Sequence, residues 1–179
     1  MTPDSTCDRM YIVSPVRKGV HMPFINVSGK SDAGIGKWEY ATAAGWMLER
    51  VLGKRLASNI VLNVKLVPKL KQIDDVKGDV CWEDDNTRPR EFLIRIDSSQ
   101  SKSMQMRILA HELVHVKQFA RGELFDYLLS DKTRWKGRKY VLKSKMLLRD
   151  YKKLPWEAEA YKYEKIIYEE WLKRGDRDD

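Results

Sequence analysis

The chain is poor in cysteine and has no long apolar run. Only 2 cysteines, Cys7 and Cys81, occur in 179 residues. This excludes a framework of several disulfides and suits a reducing compartment. No run of about 18 apolar residues is present to cross a membrane. The N-terminal sequence also lacks the continuous apolar segment of a secretory signal. We therefore expect a cytoplasmic protein.

The length and the composition fit one globular domain. With 42% hydrophobic and 34% charged residues, the chain can bury a core without disulfides or metals to hold it. The sequence predicts an α+β fold, in which a small, mostly antiparallel sheet packs on two long helices. Predicted helices span 37–55, 104–121 and 155–175, and predicted strands span 60–66, 79–82 and 92–97. Ser103 is the expected N-cap of the second helix, and Gly122 is its expected end. The expected inward positions are Ile60, Leu62, Val64 and Leu66 on the first strand, and Trp156, Ala160, Tyr163, Ile167 and Trp171 on the last helix. Residues 1–36 are expected to be an arm or loop with a short edge strand near 10–13, residues 37–174 the domain, and residues 175–179 a disordered tail.

Positive charge is concentrated in one segment. The net charge is +8, yet Lys132 to Lys153 alone contains 10 basic residues and 1 acidic residue, Asp150. Such a segment attracts nucleic acid or another acidic partner by long-range electrostatics. A solvated surface that only aids solubility is the alternative. The part RWKGRKYVL, residues 134–142, predicts a hairpin.

Two of the 3 histidines stand four residues apart in AHELVHVKQF, residues 110–119. On a helix this spacing places His111 and His115 on one face, where two imidazoles can bind one ion. Glu112 lies one step round the helix and can reach a water on that ion. Zinc lowers the pKa of bound water, and a neighbouring carboxylate can accept its proton. The sequence therefore predicts a Zn²⁺ site, with Glu112 as the catalytic general base.

A catalytic zinc site needs a third protein ligand and an open fourth position. Gln118 and Arg121 stand where metzincins have a glycine and a third histidine, which excludes that class. His21 lies far upstream beside a proline and is expected at the surface. The segment LPWEAEAYKYE offers Glu157 and Glu159 near the start of the last predicted helix, and only one of them can face the metal.

HELVH together with WEAEA resembles the gluzincin group of zincin metallopeptidases, in which a glutamate on a later helix completes the HExxH site. Small intracellular and phage-encoded members are similar at the second segment. The metal helix is also similar to that of SprT-like proteases, although those use three histidines. The resemblance implies a minimal zincin-like domain that hydrolyses peptide bonds, with Glu157 as the third metal ligand. For a viral source, the resemblance implies that the protein acts in the host cytoplasm.

Helix geometry also bears on the choice between the two glutamates. Glu157 shares a helix face with Tyr161, whereas Glu159 falls on the flank, which favours Glu157. Gluzincins often have an aspartate where this chain has Tyr161, and that aspartate supports a metal-bound histidine. Tyr161 is interpreted as a hydrogen-bonding group of the site or as an amphipathic residue at the core margin. By the same resemblance, residues 92–97 would pair with an extended peptide substrate.

Two main functions are consistent with these patterns, and metal-assisted hydrolysis of a group other than a peptide bond is a third alternative. The first is a zinc-dependent metallopeptidase, whose substrate could be associated with nucleic acid through the segment from Lys132 to Lys153. The second is a binding module for nucleic acid or an acidic protein, in which the metal only stabilises the fold. The HExxH pattern favours the peptidase.

Overall fold

The computed structural model describes residues 11–12, 22–127, 130–142 and 146–175. Most of the predicted arm, Cys7, His21 and the predicted tail beyond residue 175 lie outside these ranges. The strands are β1 (Tyr11–Ile12), β2 (Phe24–Ser28), β3 (Val61–Val67), β4 (Gly78–Trp82), β5 (Glu91–Asp97), β6 (Leu124–Tyr127), β7 (Lys132–Trp135) and β8 (Arg138–Val141). The helices are α1 (Lys37–Leu52), α2 (Lys54–Ala57), α3 (Leu70–Asp74), α4 (Lys102–Ala120), α5 (Leu148–Tyr151) and α6 (Pro155–Gly175).

The predicted α+β class is confirmed, but the main sheet is mixed rather than mostly antiparallel. Its five strands lie in the order β1-β2-β3-β5-β4. The pairs β2–β3 and β3–β5 are parallel, and only the outer pairs β1–β2 and β4–β5 are antiparallel. Helix α1 makes the crossover from β2 to β3, and a crossover of this kind joins parallel strands. Strand β4 forms one free edge of the sheet.

The short edge strand expected near residues 10–13 is present as β1, but β2 corrects the expectation that the residues between it and α1 form a loop. Ile25 and Val27 are buried and alternate with less buried neighbours, as a strand with one face on the core requires. Pro23 and the glycines nearby obscure this alternation in the sequence. Residues 24–28 therefore belong to the main sheet.

The core lies on one face of the main sheet, under α1 and α4. Strand β3 buries Leu62, Val64 and Leu66, while Lys65 on the opposite face is exposed. Helix α1 packs on β2 and on α4, and α4 packs on β4, β5 and α6. The sequence predicted this inward alternation of β3 correctly.

Buried Gln105 on α4 fixes the helix to its surroundings. Its side-chain oxygen accepts hydrogen bonds from the hydroxyls of Ser31 and Tyr40. Its amide nitrogen donates to the carbonyls of Ser98, at 3.0 Å, and Gln100, at 2.6 Å. Because every polar atom of this buried amide has a partner, the position of α4 is specified as well as stabilised.

Both ends of α4 are set by local chemistry. Ser101, rather than the expected Ser103, is the N-cap, and its hydroxyl accepts from the backbone N–H of Met104 at 3.4 Å. Gly122 ends the helix as predicted: it has a φ of 68°, and its N–H donates to Phe119. The helix that carries HELVH is thus fixed at both termini.

The segment after α4 forms a second, antiparallel sheet of three strands in the order β6-β7-β8. The predicted hairpin is confirmed as β7 and β8, joined by Lys136 and Gly137 with φ angles of 45° and 85°. Two successive positive φ angles match the two-residue turns that favour tight hairpins. One face of this sheet packs on α6, where Tyr140 meets the ring of Trp156 with centroids 5.4 Å apart.

Helix α6 spans the predicted residues, but one position of its predicted apolar stripe is wrong. Trp156, Ala160 and Ile167 are buried as expected. Tyr163 is 42% exposed, whereas Glu164 is only 6% exposed. The charged residue Glu164 therefore occupies the buried face of α6, where His111 and Arg107 are its partners. Among the described helices, none combines the length and apolar character that a membrane span requires.

Candidate metal centre

Helices α4 and α6 bring His111, His115 and Glu157 together. The Nε2 atoms of the two histidines are 3.2 Å apart. Glu157 Oε2 lies 3.4 Å from His111 Nε2, and Glu157 Oε1 lies 3.3 Å from His115 Nε2. These three residues form a group able to hold a metal ion, and all are at least largely buried.

The spacing of these donor atoms fits a tetrahedral zinc ion. Zinc bonds to histidine nitrogen and carboxylate oxygen are about 2.0–2.1 Å long, which places neighbouring ligand atoms about 3.3–3.4 Å apart. The two Nε2 atoms are 3.2 Å apart, and they lie 3.4 and 3.3 Å from Oε2 and Oε1 of Glu157, respectively, so either carboxylate oxygen is close to the position of a third ligand atom. Two nitrogens and one oxygen also form a donor set that zinc commonly accepts, with the fourth position left open.

Gln118 holds His115 in the orientation that this site needs. His115 Nδ1 lies 2.8 Å from Gln118 Oε1. Because an amide oxygen can only accept, the histidine donates from Nδ1, which leaves the Nε2 lone pair for a metal. The Gln118 amide nitrogen donates to Trp156 O at 3.0 Å and to Glu159 Oε2 at 2.9 Å. The sequence alone did not indicate this role of Gln118, which stood out only as a mismatch to the metzincin pattern.

The carboxylate of Glu164 orients the imidazole of His111, as Gln118 orients that of His115. His111 Nδ1 lies 3.3 Å from Glu164 Oε2. Arg107 holds Glu164 in turn, with an ion pair of 2.7 Å to Oε1. Support for a metal-facing histidine was expected near Tyr161, whereas Glu164 provides it for His111. The available signal was the spacing, because a residue seven after Glu157 returns to the same face of the helix.

Glu159, the alternative third ligand, lies in a different network. Its carboxylate contacts Lys117 at 3.0 Å and Lys136 at 3.1 Å, besides Gln118. It therefore supports the metal-facing residues from behind and does not join the donor group. The helix-face argument predicted this separation of Glu157 from Glu159.

The charges of the site match a metal-binding role. Burial alone would raise the pKa of Glu157, but hydrogen bonds from His111 and His115 lower it to about 2. Burial opposes the charged form of His111, yet Glu157 and Glu164 raise its pKa to about 10. Without a metal, the carboxylate is thus ionised and the imidazoles retain a proton between them. A bound cation would replace that proton.

Glu112 lies beside this group without joining it. The side chain is 7% exposed, and burial raises its pKa. Strand β4 approaches it closely at Gly78, where any side chain would collide with Ile108 and lie 3.4 Å from Glu112 Oε1. A buried carboxylate with a raised pKa, next to a metal-ligand group, has the properties of a general base.

The group opens into a cleft of about 620 Å³. Its walls come from β4, α4, β6, α5 and the start of α6. Among the described residues of the second sheet, Leu124 and Asp126 of β6 line this cleft, and no residue of the β7–β8 hairpin does. Three donors and an accessible cavity leave space for water and for a substrate.

The predicted substrate strand is wrong. Strand β5, which was expected to pair with peptide, has β3 on one side and β4 on the other. Its backbone groups are therefore already used in the sheet. Strand β4 has the free edge, and Gly78, Asp79 and Val80 line the cleft. The edge available to an extended chain lies one strand further out than predicted.

Two tyrosines border the site, and they differ in their contacts. The ring of Tyr161 packs edge-on against His111 with centroids 4.6 Å apart, and Lys152 lies over its face at 5.0 Å. Tyr151 was not singled out by its sequence pattern. Burial, the charge of Glu157 and a hydrogen bond to that carboxylate raise the pKa of Tyr151. The Tyr151 hydroxyl therefore lies near the carboxylate of the donor group.

We expect Glu164→Gln to lower zinc affinity by about 10–100-fold, the usual effect of losing an outer-shell carboxylate. Glutamine keeps the size of the side chain but loses the charge that fixes the His111 tautomer and pairs with Arg107. Chelator-buffered zinc titration measures the change. Glu170→Gln is the matched control, because Glu170 lies on the same helix and pairs with Arg50 at 2.6 Å, away from the donor group. Equal zinc affinities in the two variants would contradict the role of Glu164.

No protein-family model, no curated protein and no solved structure matches the chain.

Proposed function

We propose that the protein is a zinc-dependent metallopeptidase that hydrolyses peptide bonds. The observation that carries this proposal is the donor triangle, the group formed by His111 Nε2, His115 Nε2 and the Glu157 carboxylate. The two nitrogens are 3.2 Å apart, and each lies 3.3–3.4 Å from a different oxygen of that carboxylate. A site with three protein ligands and an open position is typical of catalytic zinc, whereas structural zinc usually has four protein ligands. The buried carboxylate of Glu112 and the adjoining cleft supply the remaining requirements.

Each residue has a definite task in this proposal. A zinc ion in the triangle would supply Lewis-acid chemistry, polarising a carbonyl group and acidifying water. Glu112 takes the proton from the attacking water and delivers it to the departing amine. Gln118 and Glu164 hold the imidazoles in the tautomer with a free Nε2. The hydroxyl of Tyr151 lies near Glu157 and would help to orient the carboxylate that holds the ion.

The substrate would be an extended polypeptide bound along the free edge of β4. A peptide that adds to a sheet edge forms backbone hydrogen bonds, which depend little on side chains. Gly78 to Val80 lie beside Glu112 and line the cleft. This placement brings a backbone carbonyl, rather than a side chain, towards the donor triangle. A peptide bond is therefore the favoured scissile group.

The proposal is tested by metal removal and replacement. We expect the zinc-loaded protein to cut an unfolded polypeptide such as reduced casein, and dialysis against a chelator to abolish cutting. Stoichiometric zinc should restore it, while magnesium should not, because magnesium prefers six oxygen ligands. Mass spectrometry of the products identifies the cut bonds. A zinc-loaded protein that binds one ion tightly and leaves polypeptides and short peptides uncut would favour the binding module with a structural metal.

A further inference from the structure

The outer face of the second sheet presents aromatic and basic side chains in alternation. Residues directly opposite each other on antiparallel strands share a face. Phe125, Arg134 and Lys139 are aligned across the three strands, and Tyr127, Lys132 and Val141 form the next row. We call these six residues the outer face. The inner rows contain Leu124, Trp135 and Thr133, which are buried.

The aromatic rings of the outer face are partly open to solvent and lie side by side. Phe125 and Tyr127 are half-buried, with centroids 5.1 Å apart. The Arg134 guanidinium lies over the Phe125 ring, 5.2 Å from its centroid. Val141, in the row of Tyr127, is 70% exposed. Two adjacent rings and an exposed valine therefore give one side of this sheet a partly apolar surface.

The cations of the outer face are not neutralised by neighbouring carboxylates. Lys132, Arg134 and Lys139 form no ion pair within the described part of the chain. This differs from Lys117 and Lys136, both of which contact Glu159. Asp131, at the start of β7, is the acidic residue nearest in sequence to this cluster. The outer face therefore has a net positive charge and available hydrogen-bond donors.

We propose that the outer face binds single-stranded nucleic acid. Unpaired bases offer flat π faces that stack on aromatic rings and guanidinium planes, and the phosphates pair with lysine and arginine. Duplex nucleic acid stacks its bases internally, so it would use only the cations. An acidic protein would likewise use the cations and gain little from two adjacent rings. The combination of rings and free cations on one flat face thus matches a single strand, whether or not the cleft cuts peptides.

The first test compares probes by fluorescence anisotropy with a labelled oligothymidine of about 12 nucleotides. We expect the single strand to bind more tightly than a duplex with the same number of phosphates, and polyglutamate to compete poorly. Phe125→Ala/Tyr127→Ala should weaken single-strand binding by at least about tenfold, given the usual contribution of base stacking. Trp38→Ala, which removes a 64% exposed ring from α1, should leave binding unchanged.

The second test separates stacking from charge. Lys132→Ala/Arg134→Ala/Lys139→Ala should reduce the slope of log affinity against log salt by about 2, since each phosphate contact to a single strand contributes about 0.7. The aromatic variant should keep the wild-type slope. Lys54→Ala/Arg55→Ala, on α2, removes two exposed cations elsewhere and should have no effect on the slope.

A folding control keeps the outcome interpretable. Phe125→Leu/Tyr127→Leu retains apolar bulk without the rings and should lose the same affinity, while circular dichroism and zinc stoichiometry stay unchanged. Duplex binding as tight as single-strand binding, equal competition by polyglutamate, or wild-type affinity in both aromatic variants would each overturn the proposal.

Discussion

Glu112→Gln is expected to retain one zinc ion and to hydrolyse peptides about 10²–10⁴-fold more slowly than the unaltered protein, the range that a general base contributes. Glutamine fills the same volume beside Ile108 and Gly78 but cannot accept a proton. The variant should not be less stable. Because burial raises the pKa of Glu112, its ionised form lowers the free energy of unfolding, and a neutral amide removes that cost.

The measurement combines zinc analysis, thermal unfolding and hydrolysis of one fluorogenic peptide at saturating zinc. Glu123→Gln is the control, since Glu123 follows the same helix and pairs with Lys117 at 2.6 Å, outside the donor triangle. It should hydrolyse the peptide at nearly the full rate. Full activity of a metal-replete Glu112→Gln sample would exclude Glu112 as the base. Asp126 would then be the candidate base, because it is the other carboxylate lining the described cleft that forms no ion pair.

The elements with strong periodicity could be predicted from the sequence, because burial of one face alone specifies them. Strand β3 alternates apolar and polar residues, and α4 has a serine before it and Gly122 after it. Strand β2 could not be predicted in this way. Only Ile25 and Val27 face the core, and two apolar positions among prolines and glycines are too few to indicate a strand. The pairing directions of the main sheet also escaped prediction, since they depend on which strands become neighbours.

The donor triangle was more predictable than the groups that support it. The spacing of His111 and His115 is local to one helix, so helical geometry alone places both on one face. Which residue supports each imidazole depends on how α6 crosses α4. That crossing brings Glu164 to His111, and it puts the Trp156 carbonyl and Glu159 behind Gln118. The spacing of Glu164 from Glu157 indicates a shared face of α6, but which residue of α4 that face meets has no signal in a single sequence.

The strand that offers an edge to a substrate was also predicted wrongly, because strand order depends on the tertiary arrangement. From the sequence, the strand before the metal helix was the natural candidate, and β5 is that strand. The chain, however, adds β4 outside β5 as an antiparallel neighbour. Strand order is a property of the whole sheet, and it assigns the free edge to Gly78–Trp82.

Glu157→Gln is expected to abolish stoichiometric zinc binding, whereas Glu159→Gln should bind zinc almost as the unaltered protein does. The two substitutions make the same chemical change two residues apart near the start of α6, so they differ only in which face they alter. Glu157 contacts both histidine Nε2 atoms, at 3.3 and 3.4 Å. Its loss removes the one negative charge among the three donors and should exceed the roughly 10–100-fold effect of an outer-shell change.

The expected tolerance of Glu159→Gln follows from its contacts. In the unaltered protein, Glu159 accepts a hydrogen bond of 2.9 Å from Gln118. A glutamine oxygen can still accept this bond, so Gln118 keeps its orientation towards His115. Lys117 retains Glu123 as a partner. Competition of each variant with a chromogenic chelator gives the two zinc affinities, and peptide hydrolysis should fall only in Glu157→Gln. The reverse pattern, with zinc lost from Glu159→Gln and kept by Glu157→Gln, would contradict the proposed site. The ion would then lie on the side of α6 that faces Lys117 and Lys136, away from the described histidines.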